Sequence, residues 1–214
     1  MPSKRSGALP APSFLAGGGE MGERTRSMDW SRTPLGPVDR WPQSLRSTLS
    51  MLLPSKAQII LFWGDDFIVF YNDAYRPVFG GKHPHALGKP GREAWSEIWD
   101  SVLQELLQGV VHTGEAFWAK DLRFTIERYG FEEETYFDVS YDPVRVESGH
   151  VGGVFCIVTE TTERVIGERR MMLLKDLAAN NATARTERDA CVLAMNTLAT
   201  RPQDITFADR KSVV

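Results

Sequence analysis

The chain has 214 residues, with 25 Lys and Arg against 28 Asp and Glu, a net charge of −3. That near balance excludes the concentrated positive charge of a nucleic-acid module or a polybasic membrane binder. Six Trp, five Tyr and eleven Phe in a chain that is 42% hydrophobic supply a packed core and exclude wholesale disorder.

Residues 1–20 are rich in Gly, Ala, Pro and Ser, end in Gly17-Gly18-Gly19, and read as a disordered tail. Lys4 and Arg5 are followed by Pro10 and Pro12 rather than an apolar stretch, so no export signal is read; Met21 is a second candidate start. Residues 21–56 form a leader in which Trp30, Leu35-Gly36-Pro37 and Trp41-Pro42 alternate apolar anchors with turns. Leu45, Leu49 and Leu52 share one helical stripe, and the two tryptophans are expected to pin the leader onto a sheet.

Gln58–Trp63 and Phe67–Tyr71 flank Gly64-Asp65-Asp66 and predict a strand hairpin. The run Ile59–Trp63 is far shorter than the ~20 residues that span a bilayer. A short helix over Asn72–Phe79 follows, capped by Asn72 or Asp73. Trp95, Ile98, Trp99, Val102, Leu106 and Val110 keep helical spacing until Thr113-Gly114. Ala116–Phe124, Glu134–Val146 and Val151–Thr159 return to strands; Thr135, Phe137, Val139 and Tyr141 share one face of the second, with Tyr136, Asp138 and Ser140 on the other. The order predicts an α+β fold: a five-stranded antiparallel sheet with helices on one face, an N-terminal helical cap and a C-terminal helix.

After Thr159 the period changes. Thr161 or Thr162 caps a helix over 162–185 in which Ile166, Leu173, Leu177, Asn180 and Ala184 follow heptad spacing, broken by Arg170. Ile166, Leu173 and Leu177 are the expected seam of a homodimer.

Phe70-Tyr71-Asn72-Asp73-Ala74-Tyr75 after a hairpin resembles the entry to the helical part of a PAS domain, over residues 57–161. Val158 to Arg164 is similar to the Asp-Ile-Thr exit of PAS sensors, with Glu160-Thr161-Thr162 in its place. Asp29-Trp30, Thr33 to Pro37 and Trp41-Pro42 resemble the leader of bacterial PAS-containing sensor histidine kinases. Residues 186–208 resemble the start of a GAF domain, with a helix from Arg188 and a strand entry from Pro202. Residues 209–214 back-translate to a string resembling a sequencing-library adapter and read as a non-native tail. The resemblance implies a cytoplasmic signal-sensing and dimerisation module that passes its signal through the exit helix to GAF and kinase domains. A serine phosphatase or nucleotide cyclase is the alternative output.

None of His83, His85, His112 and His150 lies on the connector helix, and no glycine-rich ATP cradle is present, so no catalytic motif is read in this chain. His83-Pro84-His85 has no further ligand at metal spacing and reads as a solvated loop pair; no metal is expected. Haem through His112 is set against an ordinary helix-terminal histidine, which the dipole favours. No cysteine lies between Met1 and Phe155, so a flavin photosensor forming a cysteinyl adduct is not expected. Cys156 and Cys191 form no CxxC pair, which fits a reducing compartment, and Cys156 reads as a small buried hydrophobe. Asp138 is the strand carboxylate that an isomerase-like enzyme would need, but its alternation turns it outward. Trp63, Tyr71, Tyr75, Trp95, Trp99, Phe124, Phe137, Tyr141 and Phe155, with Asn72 as a polar handle, either line a small-molecule pocket or simply fill the core.

Overall fold

The structure, a computed structural model, describes residues 13–204. The expected tail over residues 1–12, the last part of the GAF-like strand entry (205–208) and the tail 209–214 lie outside the described residues. Two compact units divide between Glu160 and Thr161.

The first unit is built on an antiparallel sheet in the order β2-β1-β5-β4-β3: β1 Gln58–Trp63, β2 Ile68–Tyr71, β3 Phe117–Glu127, β4 Glu132–Arg145 and β5 Val151–Glu160. β2 starts one residue later than expected because Phe67 turns left-handed (φ 52°) to close the hairpin, its N–H donating to Gly64 O at 3.0 Å. Between β3 and β4 the register shifts at Ala119/Leu122. Asp121 sits in that bulge at φ 51°, and Asp138 Oδ1 accepts its N–H at 2.8 Å. Asp138 thus holds a bulge rather than entering the core.

Short helices cover the inner face: α3 Arg76–Phe79, α4 Gly91–Ala94, α5 Ser96–Ile98, a π-helical turn Trp99–Leu103, and α6 Gln104–Thr113. α6 ends where Gly114 takes the left-handed conformation at φ 67°, as Thr113-Gly114 predicts. The single long helix expected from Trp95 onward is instead broken at Trp95 and loosened at the π turn. Such a turn shifts the facing residues by about one position. Leu103 and Leu107 are therefore buried, while Val102 and Leu106, on the expected stripe, are only partly so.

The leader covers the other face of β1 and β2. Trp30 stacks on Phe70 at 4.8 Å between centroids, and Trp41 meets Phe70 edge-on at 5.6 Å. Leu45, Leu49 and Leu52 of α2 (Gln43–Leu52) are fully buried. The expected disorder up to residue 20 is corrected at its C-terminal part. Leu15 is 1% exposed, and α1 (Gly19–Ser27) already begins at Gly19. Gly17, Gly18 and Gly19 all have positive φ, which turns the chain tightly into α1. A Cβ on Gly19 would lie 1.9 Å from Asp73 Oδ2. The glycine run is a requirement of close approach, not of flexibility.

Asp73 clamps that helix, accepting from Glu20 N at 3.0 Å and Met21 N at 2.8 Å, where α1 exposes its unpaired N–H groups. Asp73→Ala is expected to cost about 1–2 kcal/mol and to speed hydrogen exchange of the α1 amides selectively. Unchanged exchange in α1 would show that the clamp contributes nothing.

In the second unit, α7 (Thr162–Asn181) and α8 (Glu187–Ala199) form an antiparallel hairpin. Asn180 Nδ2 donates to Thr197 Oγ1 at 2.8 Å, Arg169 Nη2 meets Asp204 Oδ1 at 2.7 Å, and Thr186 caps α8 by accepting from Asp189 N. The helix ends at Asn181 rather than 185, and the chain folds back at once. The helix expected near Arg188 is present.

Candidate functional site

Between the inner sheet face and the helices lies a cavity of about 30 Å³, room for about two waters. Strand alternation builds its floor. Ile60 and Phe62 of β1, Phe124 and Ile126 of β3, Phe137, Val139 and Tyr141 of β4, and Val158 of β5 point inward. Tyr75, Val78, Trp95, Ile98 and Leu103 close it from the helical side. Phe79 stacks on Trp95 at 4.6 Å, and Lys82 Nζ lies 4.2 Å from the Trp95 ring centroid.

Of the ten pocket residues expected from sequence, the wall contains Tyr75, Trp95, Phe124, Phe137 and Tyr141. The other five are elsewhere, for separate reasons. Trp63 and Phe155 alternate with the inward Phe62 and Cys156, and so face the opposite side of the sheet. Trp99 is swung outward with the π turn and packs edge-on against Phe67 at 5.8 Å. Tyr71 packs on Phe79 at 4.6 Å, but its hydroxyl leaves the cup for His83. Asn72 is no ligand handle. Its Oδ1 accepts from Ile59 N and Tyr75 N, and its Nδ2 donates to the carbonyls of Leu52, Ser55 and Ala57. It does cap the 3₁₀ turn Asp73–Tyr75, as expected. Ile60, Phe62, Val139 and Val158 were missed although the period of two in their strands carries them; Ile126 lies past the expected end of its strand, and Val78, Ile98 and Leu103 come from the helical side.

His83 is not a solvated loop residue. Its Nδ1 lies 2.9 Å from Tyr71 Oη and its Nε2 3.1 Å from Glu20 Oε1 on α1, with its side chain 13% exposed. Glu20 also meets Arg24 and Arg76, each at 2.8 Å. The Arg24 hydrogen bond, helped by His83 and Arg76, holds the Glu20 carboxyl below the usual carboxylate range against its partial burial. Burial pushes the Tyr71 phenol up. A leader helix is thereby tied to the cup's rim, and no sequence pattern carries such a pairing across 63 residues.

At the exit, Thr161 precedes α7 as its N-cap residue, and Thr161 O accepts from Val165 N at 3.0 Å. Glu160 meets Arg128 Nη1 at 2.9 Å, and Glu133 meets Arg128 Nη2 at 2.8 Å, with the Arg128 side chain 11% exposed. Burial works against the Arg128 charge, but the bonds and charges of Glu133 and Glu160 outweigh it and hold its pKa above the ordinary range. The Arg128 carbonyl accepts from Gly81 N at 2.7 Å, directly after α3. A Cβ on Gly80 would lie 2.8 Å from both that carbonyl oxygen and Arg128 Cβ. One residue therefore joins the helical cover, β4 and the exit.

On α7, Leu173 is buried and Ile166 and Leu177 are half-buried, while Met171, Met172 and Leu174 are exposed. α8 packs along α7 where the heptad reading places a second copy, because the hairpin satisfies the apolar stripe within the chain. Among the described residues, no group of three His, Cys, Asp or Glu is placed to hold a metal, and no helix is long and apolar enough to cross a membrane.

The family described as the PAS fold matches residues 55–166. Among solved structures, an RNA-binding light-oxygen-voltage receptor is similar at 19% identity and TM-score 0.43, over 61% of this chain and 36% of that one. A sensory box sensor histidine kinase from Vibrio cholerae is similar at 15% and 0.37, over 50% and 82%. A PAS domain from Colwellia psychrerythraea is similar at 14% and 0.41, over 51% and 89%.

Proposed function

The chain belongs to the PAS-fold family, and on that premise we propose that it senses a signal in the cup and passes it through Glu160, Thr161 and Thr162 into α7. The observation that carries this reading is Arg128, whose backbone holds the corner after α3 while its guanidinium holds the exit carboxylate. A displacement of the helical cover reaches Glu160 through a single, mostly buried side chain, and making or breaking the Arg128–Glu160 pair is the step by which cup and helix would bias each other. Dimerisation belongs to the same reading: α7 and α8 meet a second copy through the exposed Met171, Met172 and Leu174, with Leu173 held inside the hairpin.

The output is a cytoplasmic histidine kinase reached through a GAF domain, in keeping with the Trp-Pro leader before the sheet and the GAF-like helix after α7. In the full-length gene product, Arg128→Met is expected to keep the PAS domain folded and fix autophosphorylation at one level, insensitive to the input. Glu160→Gln, which keeps a hydrogen bond to Arg128, retains part of the response. A full response in Arg128→Met would overturn the coupling route, and a phosphatase or cyclase domain in place of the kinase would overturn the output.

A further inference from the structure

The cup wall is apolar except at three points. Among its residues only Tyr75, Tyr141 and Trp95 carry polar side-chain atoms, and no charged side chain lines it. Tyr75 is 5% exposed and Tyr141 4%. Among the described residues no side chain or carbonyl is a partner of either hydroxyl, and neither oxygen is among the buried polar atoms left without a partner, so both border the accessible space of the cup. A phenol in an apolar site ordinarily takes a partner, whether protein, water or ligand. The two rings approach from opposite sides of the cup, Tyr75 from the helical cover and Tyr141 from β4, where it pairs across the sheet with Cys156. Burial raises both phenols well above the ordinary range, and the charge that Tyr141 or Cys156 would carry adds to the rise at Tyr75. The hydroxyls are thus neutral donors in one low-dielectric space.

We propose that the cup takes a small uncharged molecule with a hydrogen-bond acceptor, such as a carbonyl compound, held by donation from Tyr75 and Tyr141. The inference rests on the reading of the cup as the sensory site and names its ligand class. A charged ligand is excluded by the chemistry of the wall, since nothing there compensates the loss of its hydration. Size sets a second condition. The void is about a fifth of the ~150 Å³ that encloses a benzene ring. A ring-sized ligand therefore enters only as the wall gives way. Leu103 ends the π-helical turn and forms part of that wall, so the wall includes a segment whose i→i+5 bonding departs from the regular helix. The opening needed to admit the ligand lowers its apparent affinity and moves the helical cover, the displacement that the Arg128 route requires.

The probes are cyclopentanone, methylenecyclopentane (the same shape with CH₂ for the carbonyl oxygen) and cyclopentylamine, cationic at neutral pH. Binding is read from the NMR signals of ¹³C-labelled tyrosine rings. Cyclopentanone is expected to bind about tenfold more tightly than methylenecyclopentane, the worth of one to two buried hydrogen bonds, and cyclopentylamine not to bind. In Tyr75→Phe with Tyr141→Phe the preference should vanish while the melting temperature stays level or rises, because each hydroxyl had no partner to lose. A fall in melting temperature would instead mark the hydroxyls as structural and overturn the proposal. Equal binding of the two neutral probes, or no cyclopentanone response at Tyr75 and Tyr141, would also overturn it. An insensitive Arg128→Met receptor with no cyclopentanone binding would leave the sensory reading standing and remove only this ligand class.

Discussion

Replacing Trp41 by alanine is expected to destabilise the first unit by about 3–5 kcal/mol, the range for removing a fully enclosed large aromatic. Trp41 is 3% exposed and stands at the junction of three rings: Trp30 at 5.1 Å, Phe70 at 5.6 Å and Phe14 at 6.3 Å. Its Nε1 also donates to Gly36 O at 3.1 Å, so the substitution opens a cavity and leaves a carbonyl of the leader turn without its partner. Because Phe70 lies on β2, the loss is felt in the sheet and not only in the leader. For a unit of about this size each kcal/mol moves the melting temperature by roughly 2–4 °C, so a fall of about 6–20 °C is expected in thermal unfolding. Trp41→Phe, which keeps part of the ring contact, should fall between the two. A melting temperature within 2 °C of the parent in Trp41→Ala would show that the leader is a detached arm.

What was legible in the sequence is what local periodicity can carry. Gln58–Trp63 is a strand at the expected bounds: a run of five apolar residues, too short for a helix and rich in Ile and aromatics, stops at the Gly64-Asp65-Asp66 turn. The face made by Thr135, Phe137, Val139 and Tyr141 follows from a period of two. The cup was half legible: the aromatic residues drew attention by size, while alternation, which assigns Phe62 inward and Trp63 outward, was the more informative signal. The π turn was not legible, since Val102 and Leu106 fit an ordinary helix as well as Leu103 and Leu107 do, and the choice is made by packing. Pairings across long stretches of chain, Glu20 with His83 or Asp73 with the start of α1, leave no local pattern. Heptad spacing in α7 picks out Leu173, which is buried, together with Ile166 and Leu177, which are half-buried, but such spacing does not say whether a second copy or the chain's own next helix covers it.

The largest effect of all is expected at Asn72, where sequence reasoning placed a ligand handle. Its amide is completely buried and knits four segments together: the end of α2 through Leu52 O at 3.2 Å, the following loop through Ser55 O at 3.1 Å and Ala57 O at 2.8 Å, the start of β1 through Ile59 N at 3.2 Å, and the 3₁₀ turn through Tyr75 N at 3.1 Å. Asn72→Ala removes both sides of this network and leaves several buried backbone groups short of a partner. At about 1–3 kcal/mol per group, reduced where a neighbouring carbonyl or N–H still serves, the expected cost is about 3–6 kcal/mol. Asn72→Asp separates the two halves of the amide. The acceptor toward Ile59 and Tyr75 is kept, but the donor is replaced by a negative oxygen facing three carbonyls, an arrangement that raises the folded-state pKa of the new carboxyl above its unfolded value of about 3.9. The folded state then binds more protons than the unfolded state between those two values. The variant should therefore be least stable near neutral pH and recover, relative to the parent, as the pH falls toward 4 and the protonated acid donates again. A ligand handle would behave otherwise: Asn72→Ala would lose a bound molecule and keep its melting temperature. A melting temperature within 2 °C of the parent would therefore remove Asn72 from the scaffold and return it to the cup.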